Sequence, residues 1–205
     1  MDFAVAATAF ALIFPAELPD KTFVATLVLA TRYPGRWVWL GVAAAFAVQT
    51  AIAVTAGGLL SLLPERAVLV FTATLFTVGS VILFRSAGHA DEDVDEEERE
   101  VAGRATATAT GLRASAISFG VLFAAEWGDL SQILTAGLAA RYADPVSVFA
   151  GAWTALACVA AIGVVAGRTL LRRVHPSVVK RIAGTLFAVL AVLTWLAVAG
   201  VETPL

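Results

Sequence analysis

Phe14-Pro-Ala-Glu-Leu-Pro-Asp-Lys-Thr22 and Phe123-Ala-Ala-Glu-Trp-Gly-Asp-Leu-Ser131 are one phrase written twice, 109 positions apart. The register continues through Thr26/Thr135, Leu29/Leu138, Ala30/Ala139, Arg32/Arg141 and Tyr33/Tyr142, so nine of the twenty positions from 14 to 33 are identical. Alanine and leucine matches between alanine-rich segments carry little weight; Glu, Asp, Arg and Tyr repeated at one register carry much more. With shifts of 110 and 111, Ala56-Gly57 meets Ala166-Gly167 and Thr74-Leu-Phe76 meets Thr185-Leu-Phe187. The chain reads as a duplication with small loop insertions.

The sequence around both copies is apolar. Of 205 residues, 60% are hydrophobic and 15% charged, and the mean hydropathy is +0.86. A soluble fold of this size cannot hide so much apolar surface in one core. Six apolar stretches stand out, at about 3–31, 37–63, 67–84, 112–140, 146–171 and 178–199. Long runs without alternation specify helices rather than barrel strands. The first, fourth and fifth are long enough to tilt or to contain a break. Turns fall at Arg32-Tyr33-Pro34-Gly35-Arg36, Pro64-Glu65-Arg66, Asp144-Pro145 and His175-Pro176-Ser177. The expected fold is an all-α integral membrane protein, six transmembrane helices as two inverted three-helix repeats. Three spans per repeat is an odd number, so the two halves must face opposite ways, an architecture of secondary transporters. The domains expected are 1–85, the first repeat; 86–111, an acidic linker; and 112–205, the second repeat.

Charge sets the orientation. The connections after the first, third and fifth stretches carry eleven Lys and Arg; those after the second and fourth carry two, Arg66 and Arg141. The positive-inside rule places both termini outside and the linker in the cytoplasm of a cell (inner) membrane. Half of the sixteen acids lie between Asp91 and Glu100, a run that reads as a solvated linker, disordered or a frayed helix. Met1-Asp2 opens without a basic region or a small-residue cleavage site, so the first stretch is expected to remain as a span. The single cysteine, Cys158, leaves no disulfide framework, and no basic surface points to nucleic acid.

Four acids sit inside apolar spans: Glu17, Asp20, Glu126 and Asp129. One charge at the bilayer centre costs about 2.5–3.5 kcal/mol on insertion scales, so four call for a use. Each pair has i, i+3 spacing and shares a helix face. Pro19 removes a backbone donor and Gly128 weakens the helix at the matching place. Both are expected to break their helices and free carbonyls for a cation. Thr22, Ser131, Gln132 and, with weaker support, Gln49 and Thr50 add neutral oxygens. An all-oxygen supply suits Ca²⁺, Mg²⁺ and Mn²⁺ rather than Zn²⁺ or Cu⁺. Lys21 has Leu130 as its counterpart; a salt bridge to Glu17 is the plain reading, occupation of the empty site the sharper one. Trp127 packs beside the site or walls it. Trp37, Trp39 and Trp195 read as interfacial anchors, and Gly57, Gly58 and Gly167 as sites of close helix approach. His89 and His175 fall in loops.

These residues resemble a known family, the Gdt-type cation/proton antiporters, whose Golgi, chloroplast and bacterial members carry E-x-G-D-[KR]-[TS] in each half. The copies here read Glu17-Leu-Pro-Asp-Lys-Thr22 and Glu126-Trp-Gly-Asp-Leu-Ser131, and the resemblance covers essentially the whole chain. It implies exchange of Mn²⁺, or Ca²⁺ next, for protons, with no prosthetic group. Glu17, Asp20, Glu126 and Asp129 are then the ion ligands, assisted by Thr22 and Ser131. Pro19 and Leu130 depart from the motif. Without a basic residue at position 130 the site is more negative. The rivals are a small-solute or amino-acid exporter, which needs charge of both signs where only Lys21 offers a positive one, and a channel without proton coupling. An enzyme is not expected. No histidine lies near a serine within the spans, and duplicated symmetric acid pairs argue against an aspartyl protease.

Overall fold

A computed structural model describes residues 1–18, 21–88, 99, 101–103, 109–173 and 176–201, with the side chains of Lys21, Glu65, 166–173, Pro176 and Val179 outside that description. The described residues form no strand, and eight helices are bounded within them, besides helical residues at 99 and 101–103: α1 (Phe3–Glu17), α2 (Lys21–Arg32), α3 (Gly35–Leu60), α4 (Glu65–Ser86), α5 (Leu112–Ala125), α6 (Leu130–Tyr142), α7 (Pro145–Arg173) and α8 (Pro176–Val198). Stretches in α3, α4, α7 and α8 are long and apolar enough to cross a membrane; α1 and α2 pass the same test only as a pair, bent by 69°. At 1.5 Å per residue, the 14 residues of α5 reach about 21 Å, short of a bilayer core of about 30 Å. The first and fourth apolar stretches are thus each interrupted at the motif, and the fifth runs unbroken as α7.

Local chemistry explains the ends. Asp2 caps α1 by accepting from the Ala4 N–H at 2.8 Å. Asp144 precedes α7 and accepts from the Ser147 N–H at 3.1 Å and from its hydroxyl. The Asp2 N–H donates to Ser147 Oγ at 2.6 Å and to Asp144 at 3.3 Å, so the starts of α1 and α7 are clipped together. The Ser147 hydroxyl, then its N–H, hold the Asp144 carboxyl below its ordinary 3.8. A depressed carboxyl stabilises the fold above the unfolded-state value, and that contribution is lost as pH falls through the folded one. Asp144→Ala is therefore expected to lower the thermal midpoint at neutral pH, by a margin that shrinks on acidification below 3.8. Unfolding scans of both proteins from pH 7 to pH 3 check this.

Packing is decided by small residues. A Cβ at Gly41 of α3 would fall on the Ser115 carbonyl of α5, and one at Gly57 on the Ala136 carbonyl of α6. Gly151 of α7 meets the Ala6 carbonyl of α1, and a Cβ at Gly163 would lie 3.2 Å from the Phe23 carbonyl of α2. Each unbroken helix of one half is therefore seated on the broken helix of the other. Gly151 stands 110 positions after Gly41, and Ser115 109 after Ala6, so these two contacts are copies of each other. Helices α3 and α7 are tied by Trp39 Nε1 to the Ala157 carbonyl and Trp153 Nε1 to the Ala43 carbonyl, both 3.0 Å. Helix α4 meets α8 through Phe76 and Phe187, edge to face at 5.9 Å. Ser80 donates to the Gly184 carbonyl and Trp195 Nε1 to Thr77 Oγ1 across the same pair. The outer faces of α4 and α8 expose large apolar side chains, among them Val78, Ile82, Val189 and Val192, as lipid contact requires.

Three expectations change here. The Trp39 and Trp195 indoles tie helices together instead of serving only as interfacial anchors, because a carbonyl or hydroxyl of the neighbouring helix lies within reach. Gly58 faces open space, so only Gly57 of that pair admits a close neighbour; Gly167 lies outside the described side chains. In the connection 86–111, Val101 and Ala109 are buried in the hydrophobic core, so it is not solvated throughout. All eight acids of the run from Asp91 to Glu100, with His89 and His175, lie outside the described residues.

Candidate functional site

Both breaks bring helix ends into the interior. Glu17 is the last residue of α1 and 2% exposed; Glu126 is the C-cap of α5 and 3% exposed; Asp129 is the N-cap of α6. One carboxylate oxygen from each of the three lies within 4.8 Å of the others. Two residues 109 apart in sequence, Glu17 and Glu126, thus meet face to face. At that spacing two unit charges repel by about 3.5 kcal/mol at an effective dielectric constant near 20, so the cluster calls for a cation or protons. Oxygens about 2.3–2.6 Å from a Ca²⁺ ion stand up to about 5 Å apart across it. Three oxygens spaced evenly around one such ion stand about 4.0–4.5 Å apart, so three acids grouped within 4.8 Å need only a small closing movement to hold one.

The second break is fully described. Glu126 leaves helical geometry at φ −96°, ψ 10°. Gly128 takes φ +80°, a left-handed conformation that L side chains rarely adopt. The chain re-enters a helix at Leu130, with the Asp129 carboxylate accepting from the Ser131 N–H at 3.5 Å. An acid at a helix N-terminus is favoured by the helix dipole. Proline, locked near φ −65°, cannot adopt the Gly128 conformation. Pro19 and Asp20 lie outside the described residues, as does the Lys21 side chain.

The neutral candidates divide. Thr22 is fully buried and donates to Glu17 Oε2 at 2.9 Å, bridging the first break. Ser131 and Thr50 are buried as well. Gln49 and Gln132, expected as oxygen ligands, are engaged with backbone. Gln49 Nε2 donates to the Phe123 carbonyl at 3.2 Å. Gln132 Nε2 donates to the Glu126 carbonyl, and its Oε1 accepts from the Gly128 N–H at 3.3 Å. The carbonyls of Phe123 and Glu126 each accept from one of these amides. The only signal for this in the sequence is scarcity: Gln49 and Gln132 are the sole side-chain amides in the chain. Trp127 is 60% exposed and rests on Phe123, ring centroids 5.0 Å apart, while Phe123 stacks on Phe119. It borders the site from outside.

Known proteins match along this architecture. A family model described as the divalent cation/proton antiporter GDT1 matches residues 5–91 and 114–202, leaving out most of the connection between the halves. The GDT1-like protein sll0615 of Synechocystis is 35% identical over 192 residues, covering 90% of this chain and 93% of that protein. The chloroplastic GDT1-like protein 1 of Oryza sativa subsp. indica is 33% identical, and the chloroplastic protein PAM71 of Arabidopsis thaliana 30%. The chain spans 60% and 55% of the lengths of those two. No solved structure matches.

Proposed function

The chain belongs to the GDT1 family of divalent cation/proton antiporters, and on that premise we propose that it exchanges Mn²⁺, with Ca²⁺ next in preference, for protons at the Glu17–Glu126–Asp129 cluster. Asp20 is the fourth carboxylate of this site, by its place in the repeated motif. The observation that carries the reading is the meeting of two buried motif glutamates and Asp129 within 4.8 Å. Acids this close and this buried hold a divalent ion or protons but not both in full, and that competition couples the two fluxes. The cation is cargo, with no prosthetic group and no covalent chemistry.

The two halves act as inverted three-helix repeats, 1–85 and 112–205, joined by the cytoplasmic linker 86–111. Three observations support this. Glu17 and Glu126 meet at the site, the Gly41–Ser115 and Gly151–Ala6 contacts repeat at the same offsets, and Phe76 touches its own counterpart, Phe187. Eleven Lys and Arg against two argue for both termini outside the cell membrane. In one state the acids face the cytoplasm and exchange protons for metal. Neutralisation lets the site pass the dry midplane, and outside protons displace the metal. An inward proton gradient then drives metal out of the cell. Thr22 and Ser131 assist at the acids, and Lys21 balances charge beside Glu17.

The test is proton flux in proteoliposomes with an imposed pH gradient. Mn²⁺, then Ca²⁺, is expected to collapse the gradient, and Mg²⁺ less. Conductance without proton movement would favour a channel, and silence toward every cation in correctly inserted protein would sink the exchange reading.

A further inference from the structure

The chain has two side-chain amides, and both end on the backbone of the second break, at Phe123 and at Glu126 with Gly128. At the positions that the repeat makes equivalent stand Val159 for Gln49 and Phe23 for Gln132. Both are fully buried and neither carries a polar side-chain atom. Helix α3 seats itself on α5 at Gly41 and on α6 at Gly57, and Gln49 lies midway between these notches, facing the break. Helix α7 seats on α1 at Gly151 in the same manner, but eight residues on it offers Val159.

The first break is bridged through Thr22 and Glu17. Glu17 belongs to the acid cluster, so a bound cation draws on the same carboxylate that accepts from Thr22. Amide-to-backbone bonds carry no charge and involve no ligand atom, so occupancy of the site leaves them in place. A buried carbonyl that loses such a donor pays its desolvation in full.

We infer that Gln49 and Gln132 are positioning residues that clamp the second break and hold Glu126 and Asp129 in place whether or not the site is occupied. This rests on the exchange reading above.

The experiment is pulsed EPR distance measurement in nanodiscs, in a Cys158→Ser background that retains exchange. One spin-label pair at Phe3 and Thr31 brackets the first break; another at Leu112 and Ala143 brackets the second. All four sites are exposed. Distances are compared in EDTA and in saturating Ca²⁺, which is diamagnetic. The second pair is expected to keep its distance in both conditions. Gln49→Val combined with Gln132→Phe installs the residues of the other half. It is expected to make the second distance depend on Ca²⁺ and to raise the Ca²⁺ concentration for half-maximal exchange roughly tenfold, with a smaller change in maximal rate. Movement of the second pair in the parent protein overturns the inference, as does a double variant with both readouts unchanged. Because the parent protein carries the distance test, a variant that fails to fold leaves the inference exposed to refutation. Loss of all cation-dependent proton flux in the parent would instead sink the exchange reading itself.

Discussion

Glu126→Gln is expected to abolish Mn²⁺-driven proton movement while leaving the folded protein in the membrane. The amide keeps the volume of a side chain that is 3% exposed, so packing changes little. The variant loses one of three negative charges grouped within 4.8 Å, and with it a proton site. Removing a charge beside a divalent ion costs at least about 3 kcal/mol, roughly a hundredfold in affinity. Glu17→Gln is expected to do the same, since the amide oxygen still accepts from Thr22 but brings no charge. Dye-reported gradient collapse in proteoliposomes, read beside the amount of inserted protein, decides the matter. A double variant with wild-type activity would end the proposed mechanism.

The second large effect is on stability, and its sign reverses between two glycines of one helix. Gly41→Ala is expected to lower the thermal midpoint in detergent, because the added methyl falls on the Ser115 carbonyl and backbone cannot step aside. Overpacking of this kind costs about 1–3 kcal/mol. Gly151→Ala should match it, against Ala6. Gly58→Ala meets nothing within 4 Å and gains the helix propensity that glycine lacks, about 0.5–1 kcal/mol, so its midpoint should hold or rise. Equal midpoints for Gly41→Ala and Gly58→Ala would contradict the close seating of α3 on α5.

Much of this was legible in the sequence because the bilayer penalises so severely. Helical class, the interruption of the first and fourth apolar stretches, and the acids at those interruptions all follow from what hydrocarbon excludes. Contacts made at the scale of single atoms were not legible. Which backbone groups an amide meets depends on the packing of the second break, and the sequence does not show that Gln132 reaches both the Glu126 carbonyl and the Gly128 N–H. Gly57 and Gly58 are neighbours with identical chemistry; only the rotation of α3 against α6 tells the notch from the open face. Trp39 and Trp195 have the composition of interfacial anchors and the geometry of cross-braces. Pro19 against Gly128 was readable as an asymmetry, and so was Lys21 against Leu130. The backbone carbonyls on which the two glutamine amides end were not.

The cross-seating of the halves has a consequence for synthesis. As the chain leaves the ribosome, α3 enters the membrane with its notches at Gly41 and Gly57 unfilled and with an amide at Gln49 whose acceptor, the Phe123 carbonyl, is still 74 residues away. An amide without a partner is costly in hydrocarbon, so the first half waits in a provisional arrangement until α5 and α6 arrive to complete it. The two halves, expressed as separate polypeptides, should therefore need each other to escape proteolysis.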